Sequence, residues 1–322
     1  MVPPTFISVV AYKGGVGKTT LSILLGCGLA LFKKKRTLLV DLDPQANLTE
    51  ALLTQTTHQE VLNRSHYDNK KFSIEFFYNP VTEPIIYGIE NTDGRLFLLP
   101  SSHKYMKILE YTNIRPASAR DARGKLGELA ERYGFQYVIL DLPPQMYHLV
   151  NPIVTVSADY FITPAVKGAF SDIAVKYMLE TFYESIRTFR KEYSGLNYFL
   201  GVVLMRFHSN ETINIARVKE RIERKIREFL NNIDIGESLV FPQNYSPVFN
   251  TVIYYNSLLT KLRGSLIGRV PYIIKVLTGY FKGGGGEEIR KKLISNINEL
   301  TEELENRVMK FVSSSESTGK AL

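Results

Sequence analysis

The sequence predicts an α/β protein built on a doubly wound, mostly parallel sheet flanked by helices. Three observations carry that expectation. Short apolar runs alternate with longer helical patterns along most of the 322 residues. Several runs are near-continuous Val, Ile and Leu, as parallel strands covered on both faces require. Three of them lead into a glycine-rich turn or an aspartate, at the strand ends where open α/β sheets hold their ligands.

The first strand is expected over Thr5–Ala11, and it runs into Tyr12-Lys13-Gly14-Gly15-Val16-Gly17-Lys18-Thr19-Thr20. A helix then follows over Leu21–Phe32. Glycines at 14, 15 and 17 leave room for backbone N–H groups to turn towards a phosphate. The helix N-terminus adds partial positive charge, Lys18 suits the β- and γ-phosphates, and the Thr19 hydroxyl suits Mg²⁺. The usual loop has glycine where Tyr12 stands, so this is a variant (deviant) Walker A loop with an additional lysine, Lys13.

The second strand, Thr37–Asp41, opens Asp41-Leu42-Asp43-Pro44-Gln45-Ala46-Asn47. Two acids so close would repel each other in a dry site, so a cation is expected nearby, and an aspartate there can orient a water in line with a γ-phosphate. Thr54–Gly94 is the least regular stretch and reads as an insertion of helices and loops; its histidines have no metal-ligand spacing. A strand over Arg95–Leu99 and a helix over Ala119–Tyr133 precede Tyr137-Val138-Ile139-Leu140-Asp141. A hydrophobic strand ending in aspartate is how phosphate-loop enzymes hold a carboxylate behind Mg²⁺.

Further strands are expected at Tyr160–Thr163, Phe199–Met205 and Leu239–Phe241, with helices at Ser171–Tyr193 and Thr212–Leu230. Gly283-Gly284-Gly285-Gly286 breaks the pattern. The chain thus divides into a domain over 1–282 and a C-terminal helix over 287–312, with a disordered tail over 313–322. Ile289, Leu293, Ile297, Leu300, Leu304, Val308 and Phe311 recur every three or four residues on that helix, and the stripe is expected to pack on the domain. Glu299, Glu302, Glu303 and Glu305 argue against a membrane-seeking role.

Composition excludes some classes. No apolar run reaches the ~20 residues needed to span a bilayer, and the single cysteine, Cys27, rules out an internal disulfide. A cytoplasmic protein is expected. The formal net charge is +8, and no acid occurs between Ser238 and Gly286, where Lys261, Arg263, Arg269, Lys275 and Lys282 lie. That region points to a polyanion, DNA above all, with Lys261, Arg263, Arg269 and Lys275 as contacts. The helix carrying Arg217, Lys219, Arg221, Arg224, Lys225 and Arg227 also holds Glu220, Glu223 and Glu228; Glu220–Arg224 and Glu223–Arg227 are expected as i,i+4 pairs, so a solvated, self-paired face and a DNA face both remain open there.

Taken in order, YKGGVGKTT, DLDPQAN and VILDLPP resemble the ParA family of DNA-partition ATPases, within the class that includes MinD and the nitrogenase iron protein. The resemblance covers nearly the whole chain, which begins close to its first strand and is expected to lack an N-terminal DNA-reading extension. It implies slow ATP hydrolysis with ATP and Mg²⁺, an ATP-dependent homodimer, nonspecific DNA binding at the nucleoid, and a ParB-like centromere-binding partner that stimulates release. It implies no membrane partner, the MinD-like alternative being a membrane-associated positioning ATPase; a regulator that binds DNA without essential turnover is another. By position, Lys13 reaches the partner subunit's phosphates and Gly14 to Thr20 cradle the nucleotide. Asp43 places the attacking water, and Thr19, Asp43 and Asp141 serve the metal. Met205, Arg206, Pro242 and Asn244 surround the adenine, while Gln243 stands where many relatives have arginine.

Overall fold

A computed structural model describes residues 3–67, 71–78, 83–102, 119–144, 157–168, 171–189, 197–232, 239–241, 245–259, 262, 269–279 and 287–318. Strands β1 (Thr5–Val9), β2 (Thr37–Asp41), β3 (Tyr87–Gly88), β4 (Leu96–Leu99), β5 (Tyr137–Asp141), β6 (Tyr160–Val166), β7 (Asn197–Phe207), β8 (Leu239–Val240) and β9 (Val248–Tyr254) form one sheet. Its order is β3-β4-β2-β5-β1-β6-β7-β8, and β9 shares the free side of β7 with β8. Only β3, beside β4, runs antiparallel. The fold class expected from sequence is the one observed.

The helices are α1 (Lys18–Cys27), α2 (Asn47–Leu52), α3 (Gln55–Tyr67), α4 (Ser73–Tyr78), α5 (Ala119–Tyr133), α6 (Ser171–Phe189), α7 (Thr212–Asn231), α8 (Tyr272–Thr278) and α9 (Glu287–Thr318). A π-helical turn, Gly28–Phe32, continues α1. Strand alternation divides the core in two. On β5, Tyr137 and Ile139 join the layer of α1, α8 and α9, whereas Val138 and Leu140 face the layer of α5, α6 and α7. With both faces covered, β2 and β5 are buried at every residue, which is why their sequences read as unbroken apolar runs.

Register places the chemistry. Val9 lies opposite Asp141, and Asp41 lies opposite Asp141 from the other side. The loop after β1, the turn after β2 and the end of β5 therefore emerge together at one edge.

Several elements differ from expectation. Strand β9 follows the expected Leu239–Phe241 strand within the acid-free stretch, at a place for which the sequence suggests no strand: Val248, Phe249, Thr251, Val252 and Ile253 bury against β7 and α9. Helices α2 and α8 are also unannounced; each is shorter than the eight or so residues over which helical periodicity becomes readable. Strand β7 extends two residues beyond its expected bounds at either end. The helix expected to stop at 312 continues to Thr318, and within it the Ser313 hydroxyl donates back to the carbonyls of Met309 and Lys310. Gly283 to Gly286, and the tail from 319, lie outside the described residues.

The stripe of α9 is buried from Leu293 to Phe311, while Ile289 at its start stays exposed. Arg307 anchors the helix. Its guanidinium donates to the carbonyls of Leu200, Ser246 and Val248, pairs with Glu303 at 2.8 Å and lies over the Phe249 ring. Glu303 in turn accepts from the N–H groups of Asn250 and Thr251. At Gly28 the helix and the turn after α1 meet so closely that a Cβ would lie 2.4 Å from Thr301 Cγ2 and 2.8 Å from Ile297 Cγ2. Cys27 is fully buried beside it, and burial pushes its thiol up to about 12, so it behaves as a small apolar side chain.

Candidate nucleotide-binding site

After β1 the backbone turns through Gly15 (φ 75°) and Gly17 (φ 98°), both left-handed, before α1 begins at Lys18. Any side chain at 17 would also press on Met205, whose Sδ lies 3.3 Å from where its Cβ would sit. Gly17 closes the first helical bond, accepting from the Leu21 N–H at 2.8 Å, and leaves the earlier N–H groups of the turn free for an anion.

Lys18 is 7% exposed. Burial lowers its pKa, against the pull of Asp141 and Asp43, which favour the ammonium. Two carboxylates thus face one buried lysine, the cation expected near the paired acids. Asp141 is 1% exposed and accepts from the Ser22 hydroxyl at 2.9 Å. Burial raises it to about 6, although hydrogen bonds from Thr19 and Ser22 and the charge of Lys18 draw it down.

The two acids after β2 part company. Asp41, fully buried, turns away into the fold. It accepts from Thr49 N–H at 2.8 Å, Thr49 Oγ1 at 2.7 Å and Asp43 N–H at 3.1 Å, while its backbone carbonyl accepts from Ser73. Burial and nearby Asp141 push its pKa well up, partly offset by Thr49. Asp41 therefore braces the turn, and Asp43 is left facing Lys18. Asp43 also caps the turn by accepting from Gln45 N–H at 2.9 Å.

A Mg²⁺ ion suits this set of hard oxygen donors. Asp141 Oδ2 is buried with no hydrogen-bond partner among the described residues, next to the Thr19 hydroxyl and across from Asp43. No group of three or more His, Cys, Asp or Glu side chains converges on a metal position among the described residues.

The remaining positions divide. Lys13 is exposed at the rim of a cleft of about 90 Å³ between the loop and the β6–α6 connection, lined by Tyr12, Val16, Thr163 to Gly168 and Ser171. Val16 is buried under the loop and Thr20 lies in the first turn of α1. Met205, expected at an adenine, is 1% exposed and packs beneath Gly17. Arg206 reaches the loop itself, donating to the Gly15 carbonyl at 3.1 Å. Pro242 and Asn244 lie outside the described residues, as do Lys261 and Arg263.

In the basic region, acids from elsewhere in the chain meet part of the charge. Arg269 pairs with Glu60 at 2.7 Å and Glu90 at 3.3 Å, acids brought from the 54–94 segment that the local sequence did not show. Lys275 sits on α8, whose Ile273, Ile274, Val276 and Leu277 are buried. On α7 the expected pairs give way to others. Arg221 pairs with Asp172, Arg224 and Lys225 with Glu228, and Glu223 accepts from Ser246. Sequence reasoning also passes over Ser22 and Thr49; a lone serine in Leu21-Ser22-Ile23-Leu24-Leu25 is the only signal for the first.

A strand-to-helix phosphate loop with buried lysine and aspartates at adjoining strand ends defines a P-loop NTPase. Known proteins narrow the class. The AAA domain family matches residues 4–194. A virulence plasmid ParA family protein of Chlamydia psittaci, pGP5-D, is 51% identical over 172 residues, 53% of this chain and 60% of that protein. The sporulation initiation inhibitor protein Soj of Bacillus subtilis is 28% identical over 218 residues, 66% of this chain and 77% of Soj. The structure of pNOB8 ParA bound to nonspecific DNA shares the fold, with a TM-score of 0.70 at 20% identity over 95% of this chain and 99% of that one. This chain belongs to the ParA family of P-loop ATPases.

Proposed function

We propose that this chain hydrolyses ATP as the switch of a DNA-partition system, closing into a homodimer on ATP, binding nonspecific DNA, and letting go when a ParB-like partner stimulates hydrolysis. The observation that carries the reading is the confrontation of buried Lys18 with Asp43 and Asp141 while Lys13 stands exposed at the rim.

Each residue has a chemical role. Lys18 and the N–H groups of the loop neutralise the β- and γ-phosphates. Thr19 and Asp141 would hold Mg²⁺, the latter through water, and the ion would supply charge neutralisation on those phosphates. Asp43, braced by Asp41, orients a water for in-line attack. Lys13 acts across the dimer in this reading, and its exposure at the rim supports that role: a lysine lent by a second copy completes charge neutralisation only after assembly. A cation supplied in trans contributes on the order of 10³–10⁵ in rate, so a single copy is slow.

DNA is the expected partner because a homologue is known bound to nonspecific DNA and because the chain carries +8. The MinD-like membrane alternative would call on the apolar stripe of α9. No described helix is long and apolar enough to cross a membrane, and the apolar stripe of α9 is occupied inside the protein. The test is a DNA-binding titration with ATP, with ADP and without nucleotide. Binding confined to ATP is expected; equal binding in all three, or none, overturns the proposal.

A further inference from the structure

Strand β7 ends in an irregularity that nothing in its run of apolar residues foretells. Met205 pairs opposite Ile253 and Phe207 opposite Tyr254, so Arg206 has no counterpart on β9. It is the extra residue of a β-bulge, a device that re-aims a side chain at sheet edges and beside active sites. Its φ of 64° puts a long, non-glycine residue in the left-handed region, a conformation that persists only where surrounding structure holds it. The side chain so redirected crosses to the loop, and Nη1 donates to the Gly15 carbonyl at 3.1 Å.

The neighbour acts on the same loop. Met205 packs beneath Gly17, while Arg206 holds Gly15 from the rim, so consecutive residues of β7 grip the loop's two left-handed glycines. The peptide joining Gly15 to Val16 is planar and trans, so its carbonyl and its N–H point in opposite directions. Fixing the Gly15 oxygen on the guanidinium therefore fixes the Val16 N–H on the opposite side, away from Arg206.

We infer that Arg206 is a positioning residue: a latch that holds the phosphate loop in its binding shape before any ligand arrives. It acts on the polyphosphate through the loop and makes no contact with the adenine. Preorganisation of this kind raises affinity by removing the cost of ordering the loop on binding. The inference rests on the reading that the loop binds ATP.

Arg206→Gly tests it, because glycine keeps the left-handed backbone and removes only the arm. Binding of ATP, ADP and inorganic tripolyphosphate is measured for both proteins, together with Val16 amide exchange without ligand. The latch predicts that all three ligands weaken alike, about fivefold to tenfold, and that the amide exchanges faster while the melting temperature holds. Arg206→Lys, which keeps a donor, recovers part of the loss. Weakened nucleotides with unchanged tripolyphosphate would assign Arg206 to the base and overturn the latch. Loss for ATP alone would assign it to the γ-phosphate and overturn the latch equally. Undiminished binding of all three would show the bond to Gly15 to be idle, which also overturns it. Failure of the unaltered protein to bind any of the three sinks the ATP reading itself and the latch with it.

Discussion

Asp141 holds a proton more tightly than a solvated aspartate because burial disfavours its charge, and its value near 6 against an ordinary 3.8 has a sign that can be tested. The folded protein binds that proton between those values and the unfolded chain does not. The contribution to stability is thus fully present below about 3.8 and lost as pH rises through about 6. Asp141→Asn should therefore make the ligand-free protein more stable at pH 7.5, by ~1–3 kcal/mol, with the gain vanishing near pH 4 in denaturant unfolding. The same variant should lose Mg²⁺-dependent hydrolysis; a neutral or negative stability change at pH 7.5 would place the carboxylate in water. Lys18→Ala is expected to abolish ATP binding in calorimetry. Asp43→Ala is expected to bind ATP yet hydrolyse it at least about tenfold more slowly, and an unchanged rate removes Asp43 from the chemistry. Lys18, Asp43 and Asp141 are legible as residues because each ends or follows a strand that any reader of apolar runs would mark. The separation of Asp41 from Asp43 is not, since it depends on Thr49, eight residues on, which only the folding of α2 brings back to the strand.

At the scale of elements, legibility follows length and burial. Strands β2 and β5 and helix α5 have the bounds that the sequence predicts, for each carries a long unbroken pattern. Strand β9 escapes because no helical crossover signal announces it and its neighbours Pro247 and Asn256 read as loop. Its place is secured from outside, by Glu303 and Arg307 of α9 gripping its backbone. Arg307→Ala should then cost roughly 3 kcal/mol in urea unfolding, since it takes the counter-charge from Glu303 and the guanidinium donors from the carbonyls of Leu200 and Val248. A loss below about 0.5 kcal/mol, the range of ordinary surface changes, would mean that water replaces the guanidinium.

For the whole molecule, charge that looks free along the sequence is partly spent in the fold. Arg269 is a natural DNA contact until Glu60 and Glu90 arrive from 179 and more residues away. If DNA binds as proposed, Arg269→Ala should leave the slope of log affinity against log salt where it was. Arg217 and Arg227, exposed on α7, offer the contrast: for every phosphate that alanine substitution there leaves without its cation, the slope should flatten by about 0.9. Equal flattening by all three changes would return Arg269 to the DNA face. A different consequence follows from the close approach at Gly28. Helix α1 begins at the phosphate loop and ends wedged against Thr301 and Ile297, with no gap into which it can recede. It cannot serve as a piston. News of whether a third phosphate is present must leave sideways, through the turns after β2 and β5, and the back of the molecule should stay still while its rim changes shape.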